Sequence, residues 1–476
     1  MLSRVVPLLL AALATAACQP SAARRGATVL FASGADLQSI NPLLTVHPLA
    51  RQVQRFVLLT TLVRYDGGMS PRPYLARAWQ WSDGGRTLTF RLHPQVRWHD
   101  GHPTTAHDVA WTLTTALDPA TGYPRLTELS ALAGVTAPDD STVTLRFRTP
   151  QDALPDVLAD LAILPAHVFD TVPPARLRTA RWNDTPVGNG PFRFVAHEPN
   201  RRWVFAADSA FPAELGGPPR LDRLIVVVVD EPTTKLAALA SGELDFAGIQ
   251  TAHAEFVRRD PALAVLTYPL LFTYGIVLNT RRPPFDRLDA RRRLAAALDR
   301  QEIVDGYLYG FGVPAHGPVP PGVPGYLPLA APPAPAVAPA AAARVRFELL
   351  TVGSGEAPLE QMVQARLRAA GFDVVIRQLE NSTFLSRVYS PDREFQAAVL
   401  GIQGDPSLGY LGPLAGLAGL TAPDDGAAAQ RFFRDSMPVV FLYHARGLQG
   451  MNRRVRGVTM DLRGELVTVH DWAVGP

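Results

Sequence analysis

The sequence predicts an α/β fold of two lobes joined by two hinge strands, and three observations predict it. Two separate regions alternate short apolar strands with helices, one across residues 224–249 and one across 345–402. An extended apolar run, 268–279, lies between the two regions, and a second, 438–448, follows the later one. A strand, a turn and a capped helix over residues 88–113 add material to the first region. At 476 residues the chain is long for a single core, and 47% hydrophobic with 19% charged residues is ordinary for a globular protein.

The N-terminus has the three parts of an export signal. Met1, Leu2, Ser3 and Arg4 form a short basic head, residues 5–14 an apolar run too short to span a bilayer, and Thr15, Ala16 and Ala17 a small-residue cleavage site. Residues 1–17 are therefore expected to be a signal peptide. Cys18, the single cysteine, follows directly, where its thiol would be the lipid attachment point of a bacterial lipoprotein. The alternative is ordinary signal-peptidase cleavage beside an incidental cysteine, because Thr15 stands where lipid-modified sites commonly carry Leu. Residues 18–27 would be a tether, and nothing later is long and apolar enough to span a membrane. The body is expected to be exported, in the periplasm or at the cell surface, and held by its anchor.

The folded part should begin with a strand at 28–33. Leu88, Phe90 and Leu92 alternate with polar residues, Asp100-Gly101 makes a tight turn, and Thr105 with Asp108 forms a capping box ahead of Val109, Ala110 and Leu113. Residues 224–229, 233–241 (stopped by Gly242) and 244–249 read as a βαβ unit with a parallel sheet. After the first extended run come Pro283, Pro284, Phe285 and a helix over 289–299. Strands at 345–351, 374–379 and 395–402 then alternate with helices at 359–370 (stopped by Gly371) and 383–388. Residues 329–343 are nearly all Ala and Pro and read as an extended surface linker, 409–426 is Gly/Ala-rich, and a helix is expected over 430–436.

Composition and spacing exclude several functions. A formal charge of +3 with no basic block argues against nucleic acid. His99, His102 and His107 match no zinc spacing, and the strand-turn-helix explains His99 and His107 without a metal; His253, His316, His444 and His470 are scattered. No metal or other cofactor is expected. Around Gly353, Ser354 and Gly355 a nucleophile elbow would need Gly where Val352 stands, and neither a Walker A lysine motif nor a GxGxxG is present. The chain is not expected to be an enzyme.

The string LTFRLHPQVRWHDGHP, followed by TAHDV, resembles the signature of the extracellular solute-binding proteins of family 5, the dipeptide-, oligopeptide- and nickel-binding components of ABC importers. That signature reads like LTFxLxxxVxFHDGxP and TAxDV; here Trp98 replaces its usual Phe and Thr104 an apolar residue. The heptapeptide PVGNGPF at residues 186–192 is similar to the family's PVGTGPY turn, and Asn279, Pro284, Phe285 and then Ala297, Asp299 and Arg300 are similar to its NxxxxPF and AxDR.

The resemblance implies a periplasmic-binding-protein fold of class II, of the large type with an extra subdomain at about 65–180. It also implies that the runs 268–279 and 438–448 are the hinge strands. Lobe I would be 28–270 plus 446–476 and lobe II 271–445, with ligand in the crevice between them. In peptide-binding relatives an Asp shortly after a strand ending in Gly-Trp takes the ligand's α-ammonium group. Here Asp405 aligns, with Ile402 in place of the Trp; the alternative is a loop Asp that opens a turn before Pro406. Gln403, Tyr274 and Asn279 are further candidates to line the crevice, against structural roles at the hinge. No Trp lies between Tyr268 and Arg446, which favours an extended polar ligand over a sugar. Relatives have a packed helix in place of the Ala/Pro stretch and a longer segment in place of 409–426, so lobe II departs most. The implied function is a monomeric receptor that captures di- or oligopeptides and delivers them to an inner-membrane ABC permease driven by its ATPase, leaving the ligand covalently unchanged. The alternatives are a receptor for a nickel complex or an oligosaccharide, a degenerate sensory or structural lipoprotein, and, third, a hydrolase.

Overall fold

The computed structural model describes residues 26–45, 47–330 and 344–475. The predicted signal peptide, Cys18 with most of its tether, and all but the first two residues of the Ala/Pro-rich stretch lie outside the described residues.

The chain opens with β1 (Thr28–Ser33), where a strand is expected; Val29 and Phe31 are buried in the core. A separate antiparallel sheet follows, built from β2 (Ala76–Ser82), β3 (Thr87–Leu92), β4 (Leu132–Asp139) and β5 (Thr142–Phe147) in the order β2-β3-β5-β4. Leu88, Phe90 and Leu92 are buried, and helix α1 (Ala106–Leu117) starts at the predicted capping box. The Thr105 amide donates to Asp108 Oδ2 at 2.7 Å. The same buried carboxylate accepts from the Trp98 indole at 3.2 Å and, through Oδ1, from the Ala166 amide at 2.8 Å. Burial raises the Asp108 carboxyl against those hydrogen bonds. One capping side chain thus ties the turn after β3 to the segment around residue 166.

The main sheet collects the remaining long strands. In chain order these are β1, β6 (Phe192–Glu198), β7 (Arg202–Ala207), β8 (Arg223–Val228), β9 (Phe246–Gly248), β10 (Leu263–Leu278), β11 (Val345–Val352), β12 (Phe372–Leu379), β13 (Ala397–Gln403) and β14 (Val439–Asn452). Across the sheet they run β12-β11-β13-β10-β14-β9-β1-β8-β7-β6. The two predicted βα regions therefore sit at opposite ends, and the two extended runs, β10 and β14, join them. The first region is parallel as expected, but β8 and β9 do not pair with each other; both pair with β1. In the second, β11 pairs in parallel with β12 and β13.

Strands β10 and β14 pair antiparallel from Leu263 opposite Asn452 to Val277 opposite Val439, with a register shift between Pro269 and Thr273. There Leu270, Leu271 and Phe272 stand against Ala445, a bulge that bends the ribbon where it leaves one lobe for the other. Each lobe has its own core. One cluster runs from Val29 through Tyr268 and resumes at Val455, Leu466 and Trp472, so the C-terminal segment packs back onto the first lobe. Trp472 stacks on Phe246 with centroids 4.6 Å apart, and Arg454 pairs with the fully buried Asp245 at 2.6 Å. Two further clusters, on the two faces of the second lobe's sheet, draw on residues between Ile276 and Tyr443.

Two local expectations change. The Gly/Ala-rich segment 409–426 contains a helix, Leu411–Ala418, whose Leu411, Leu414, Ala415 and Ala418 are buried at helical spacing. The helix expected over 289–299 ends earlier, as Leu288–Ala296, and a further helix, Arg300–Tyr307, follows it, because Asp299 accepts from the Gln301 and Glu302 amides at 2.9 and 3.2 Å and starts a new one.

Candidate functional site

A crevice of about 1710 Å³ lies between the lobes, roughly twice the usual small-ligand cavity of 300–1,000 Å³. Its floor is the hinge ribbon: Tyr268, Leu270, Leu271 and Phe272 of β10 and Gln449 of β14. The Tyr268 hydroxyl donates to Glu465, which also accepts from Gln449 Nε2 at 2.9 Å, so the ring is clamped at the bend. Burial, with the Glu465 charge beside it, raises the Tyr268 phenol and keeps it a neutral donor.

The first lobe supplies a wall of charge. Asp160 is only 9% exposed and pairs with three guanidiniums, those of Arg51, Arg55 (2.6 Å) and Arg125. Burial alone would raise the Asp160 carboxyl; the three cations override it and hold the group well below the usual carboxylate range. Arg125 also donates to Glu128 Oε1 at 2.6 Å. Three cations and two carboxylates thus form one network on this wall.

Asp156 lies four residues before Asp160, at the start of the short helix Val157–Asp160, and accepts a hydrogen bond from the Tyr65 hydroxyl. Burial raises its carboxyl, and the charge of Asp405 from the other lobe adds to the rise. Two carboxylates thus face each other across the crevice beside the arginines.

The second lobe reaches the crevice through the loop after β13, at the carboxyl end of a parallel strand, where open α/β sheets place ligands. Gln403 and Asp405 both line it. Gln403 Nε2 donates to the Leu271 and Gly404 carbonyls at 3.0 and 3.1 Å, fastening the loop to the hinge. Asp405 accepts from Ser407 Oγ at 2.5 Å and from the Gly409 and Tyr410 amides at 3.0 and 3.1 Å. It organises its own turn and still borders the cavity.

Tyr274 and Asn279 are not brought to the crevice. Tyr274 stacks on Tyr443 with centroids 4.9 Å apart, packed against the second lobe's core. The buried Asn279 donates to the Arg393 and Phe395 carbonyls at 2.9 Å and accepts from the Arg281 amide at 3.1 Å, closing the turn after β10. Both lie beyond the bulge, Tyr274 on the part of β10 that belongs to the second lobe's sheet and Asn279 just past the strand's end. Residues 88–113 contribute nothing to the lining.

The profile of the bacterial extracellular solute-binding proteins, family 5 Middle, matches residues 70–416. The chain belongs to this family. Among curated relatives of this family 5 protein, a Brucella ovis protein named for ABC-transporter peptide binding is 30% identical over 51% of this chain and 45% of its own length. A Pectobacterium atrosepticum protein named for glutathione binding is 29% identical over 66% of this chain and 60% of its own length. The chain thus spans about half the length of the curated relatives it matches. A Bacillus subtilis oligopeptide-binding protein, solved with a nonapeptide, matches with a TM-score of 0.74 at 20% identity, over 95% of this chain and 99% of its own. That likeness extends the two-lobed periplasmic-binding fold over nearly all of the family 5 chain.

Sequence reasoning missed the arginine wall and Asp156. Arg51 and Arg55 stand one helical turn apart without an acid nearby in sequence, which is the one available signal; Arg125, Asp156 and Asp160 join them only through the fold.

Proposed function

We propose that this chain is the binding receptor of an ABC importer, capturing short peptides in the crevice and presenting them to a membrane permease whose partner ATPase supplies the energy. The observation that carries this reading is a large inter-lobe crevice with both signs of charge side by side: Asp156 facing Asp405, and Arg51, Arg55 and Arg125 around Asp160. A peptide is a zwitterion. Its α-ammonium suits the carboxylate pair and its carboxylate the guanidiniums, each as a charge-assisted hydrogen bond in a closing cleft. Asp405 and Gln403 are the proposed ligand residues of the second lobe. Binding is the whole of the activity, with the ligand released chemically unchanged.

The lobes are proposed to divide at 270/271 and 445/446, at the bulge where β10 and β14 lose register. An N-terminal signal peptide over 1–17, a lipid on Cys18 and a monomeric receptor complete the proposal. The peptide-binding name of the Brucella relative supports it, and so does the glutathione-binding name of the Pectobacterium one. Glutathione is itself a small peptide with one ammonium and two carboxylates.

The test is a thermal-shift screen of the purified protein against di- to pentapeptides and glutathione. A ligand that binds only the folded state raises the transition by mass action, by about 2.7 kcal/mol at 100 times its Kd. No shift with any peptide, alongside a shift with a nickel complex or an oligosaccharide, would move the reading to those ligands.

A further inference from the structure

Away from the crevice, the fold assembles a donor set that no stretch of sequence displays. Asp100 and His102 sit in the turn after Trp98, and His167 sits on the short helix Ala166–Phe169. His167 Nε2 lies 2.8 Å from Asp100 Oδ2, and His102 Nδ1 lies 3.2 Å from Asp100 Oδ1. The two imidazoles stack with centroids 4.2 Å apart and planes 26° from parallel. One ligand atom from each residue can be chosen so that all lie within 4.8 Å of one another. None of the three lines the crevice.

Both segments are held in place independently of this contact. The turn is closed by backbone hydrogen bonds from Trp98 to His102 and from Gly101 to Trp98, both 2.8 Å, with Gly101 at φ 95°. The helix is fixed at Ala166, whose amide donates to Asp108 Oδ1, while Asp108 Oδ2 accepts from the Trp98 indole. The capping carboxylate of α1 therefore positions both segments, each from a neighbour of a donor residue. His167 is further packed near the Trp98 ring, 6.2 Å between centroids. Preset ligands are what a metal site needs, because little ordering remains to be done on binding.

Two imidazoles and one carboxylate, with solvent on the open side, form a nitrogen-rich set that suits divalent first-row ions from Ni²⁺ to Zn²⁺ and is too poor in oxygen for Ca²⁺ or Mg²⁺. Ligand bonds of about 2.0–2.2 Å around one ion place tetrahedral donors roughly 3.3 Å apart. The two contacts to Asp100, 3.2 and 2.8 Å, are both somewhat shorter than that spacing, so the donors would have to spread slightly around an ion. Rotation of the His102 side chain, 60% exposed, can supply the remaining adjustment. The exclusion of a metal from sequence considered His99, His102 and His107, and two of these are used elsewhere: His99 Nε2 is bonded to the Gly190 carbonyl at 2.9 Å and His107 stands beside Asp170 at 3.4 Å. His167, distant in sequence, supplies what was lacking. His102 occupies the variable position of the HDGxP signature, so the complete set belongs to this chain rather than to the signature.

We propose that Asp100, His102 and His167 form a surface site for a divalent transition-metal ion of the Zn²⁺, Ni²⁺ or Cu²⁺ class, with coordination positions left open to water or to an incoming donor. The ion clips the turn after Trp98 to the Ala166–Phe169 helix and stabilises the first-lobe subdomain. It does not depend on the peptide reading, because the site and the crevice share no residue.

The experiment uses tag-free protein stripped with chelator, titrated with Zn²⁺ by calorimetry and followed by thermal unfolding, with Co²⁺ absorption reporting the ligand set. The expected result is one equivalent bound in the micromolar range or tighter, a raised transition temperature and a Co²⁺ d–d band. His102→Ala and His167→Gln should each weaken binding at least as much as loss of a supporting partner does, about 10- to 100-fold. His107→Ala, on an exposed neighbouring histidine, should leave it unchanged. Because His102 is exposed, its Ala variant folds, and it decides the matter even if the His167 variant does not. Absence of Zn²⁺ binding to the unmodified chain, or equal binding by His102→Ala, overturns the proposal. Peptide shifts measured on the same variants should not change.

Discussion

Replacing Asp160 with Asn removes the one carboxylate that pairs with all three arginines of the first-lobe wall. The lost pairs are short and partly buried: Asp160 is 9% exposed, Arg55 19% and Arg125 17%, while Arg51 at 33% is better solvated. Removing one partner of a buried pair costs about 3–5 kcal/mol, because the remaining charge is left uncompensated. Water in the crevice screens Arg51, and an Asn oxygen can still accept one hydrogen bond, so the lower end, about 3 kcal/mol, is expected. For a lobe of this size that is a fall of about 6–12 °C in the transition temperature, measured by scanning calorimetry. The pH dependence carries a second check. The folded Asp160 carboxyl is held below its ordinary value of 3.8, so its contribution is fully present above that value and is lost only as pH falls through the lower folded value. The gap between native and variant should be constant from pH 8 to 5 and narrow only in stronger acid. A difference under about 1 kcal/mol, or a gap that closes between pH 7 and 5, would refute the account of Asp160 as the charge that holds the wall together.

Asp405→Ala should weaken a peptide with a free α-amine far more than its N-acetylated form, by about tenfold or more if a charge-assisted bond is lost; equal losses would leave Asp405 only its turn-forming role. Burial pushes the His444 imidazole, which lies 2.8 Å from Thr273 Oγ1 across the hinge ribbon, down to about 4. Its neutral state therefore contributes stability above pH 6.5 that is lost as pH falls toward 4, and His444→Gln should flatten up to about 3 kcal/mol of that dependence in pH-resolved unfolding; an unchanged slope would exclude it. At Gly447 an added Cβ would lie 2.0 Å from Tyr268 Cζ, so Gly447→Ala should cost about 1–3 kcal/mol by overpacking, and much of that should be recovered in the Tyr268→Ala background, where additive losses would argue against the clash.

Most of the fold is legible in the sequence because its elements carry strong local signals. Period-two burial marks β3, the Thr105–Asp108 box marks α1, and the apolar length of β10 and β14 marks the hinge. What fails is equally local in origin. Alanine and glycine conceal the helix Leu411–Ala418, since small residues carry little periodic contrast, and the helix that Asp299 caps begins just past the one expected over 289–299. The site is less legible than the fold. Asp405, with Gln403 beside it, could be placed at the crevice because the resemblance aligns it with an Asp after a strand end, whereas Tyr274 and Asn279 depend on which side of a bulge they fall. The register shift between Pro269 and Thr273 decides that, and no pattern in residues 268–279 announces it. The arginine wall, and the pairing of His102 with His167, join segments far apart in sequence, so only the fold displays them.

The distribution of charge over the two lobes has a mechanical consequence. Among the described residues lining the crevice, those contributed between Phe272 and Gly409 include one charged side chain, Asp405; every other charge there belongs to the first lobe or its C-terminal return. Charges of both signs are therefore carried almost wholly by one lobe and are in place before the lobes meet. Asp405 faces Asp156, and two carboxylates approaching across a closing gap repel unless a cation lies between them or one is protonated. On the proposed peptide reading, a ligand ammonium would supply that cation. Closure with a free amine in place would then be relieved of the repulsion, and one pair of like charges would favour an amine over an empty closed form.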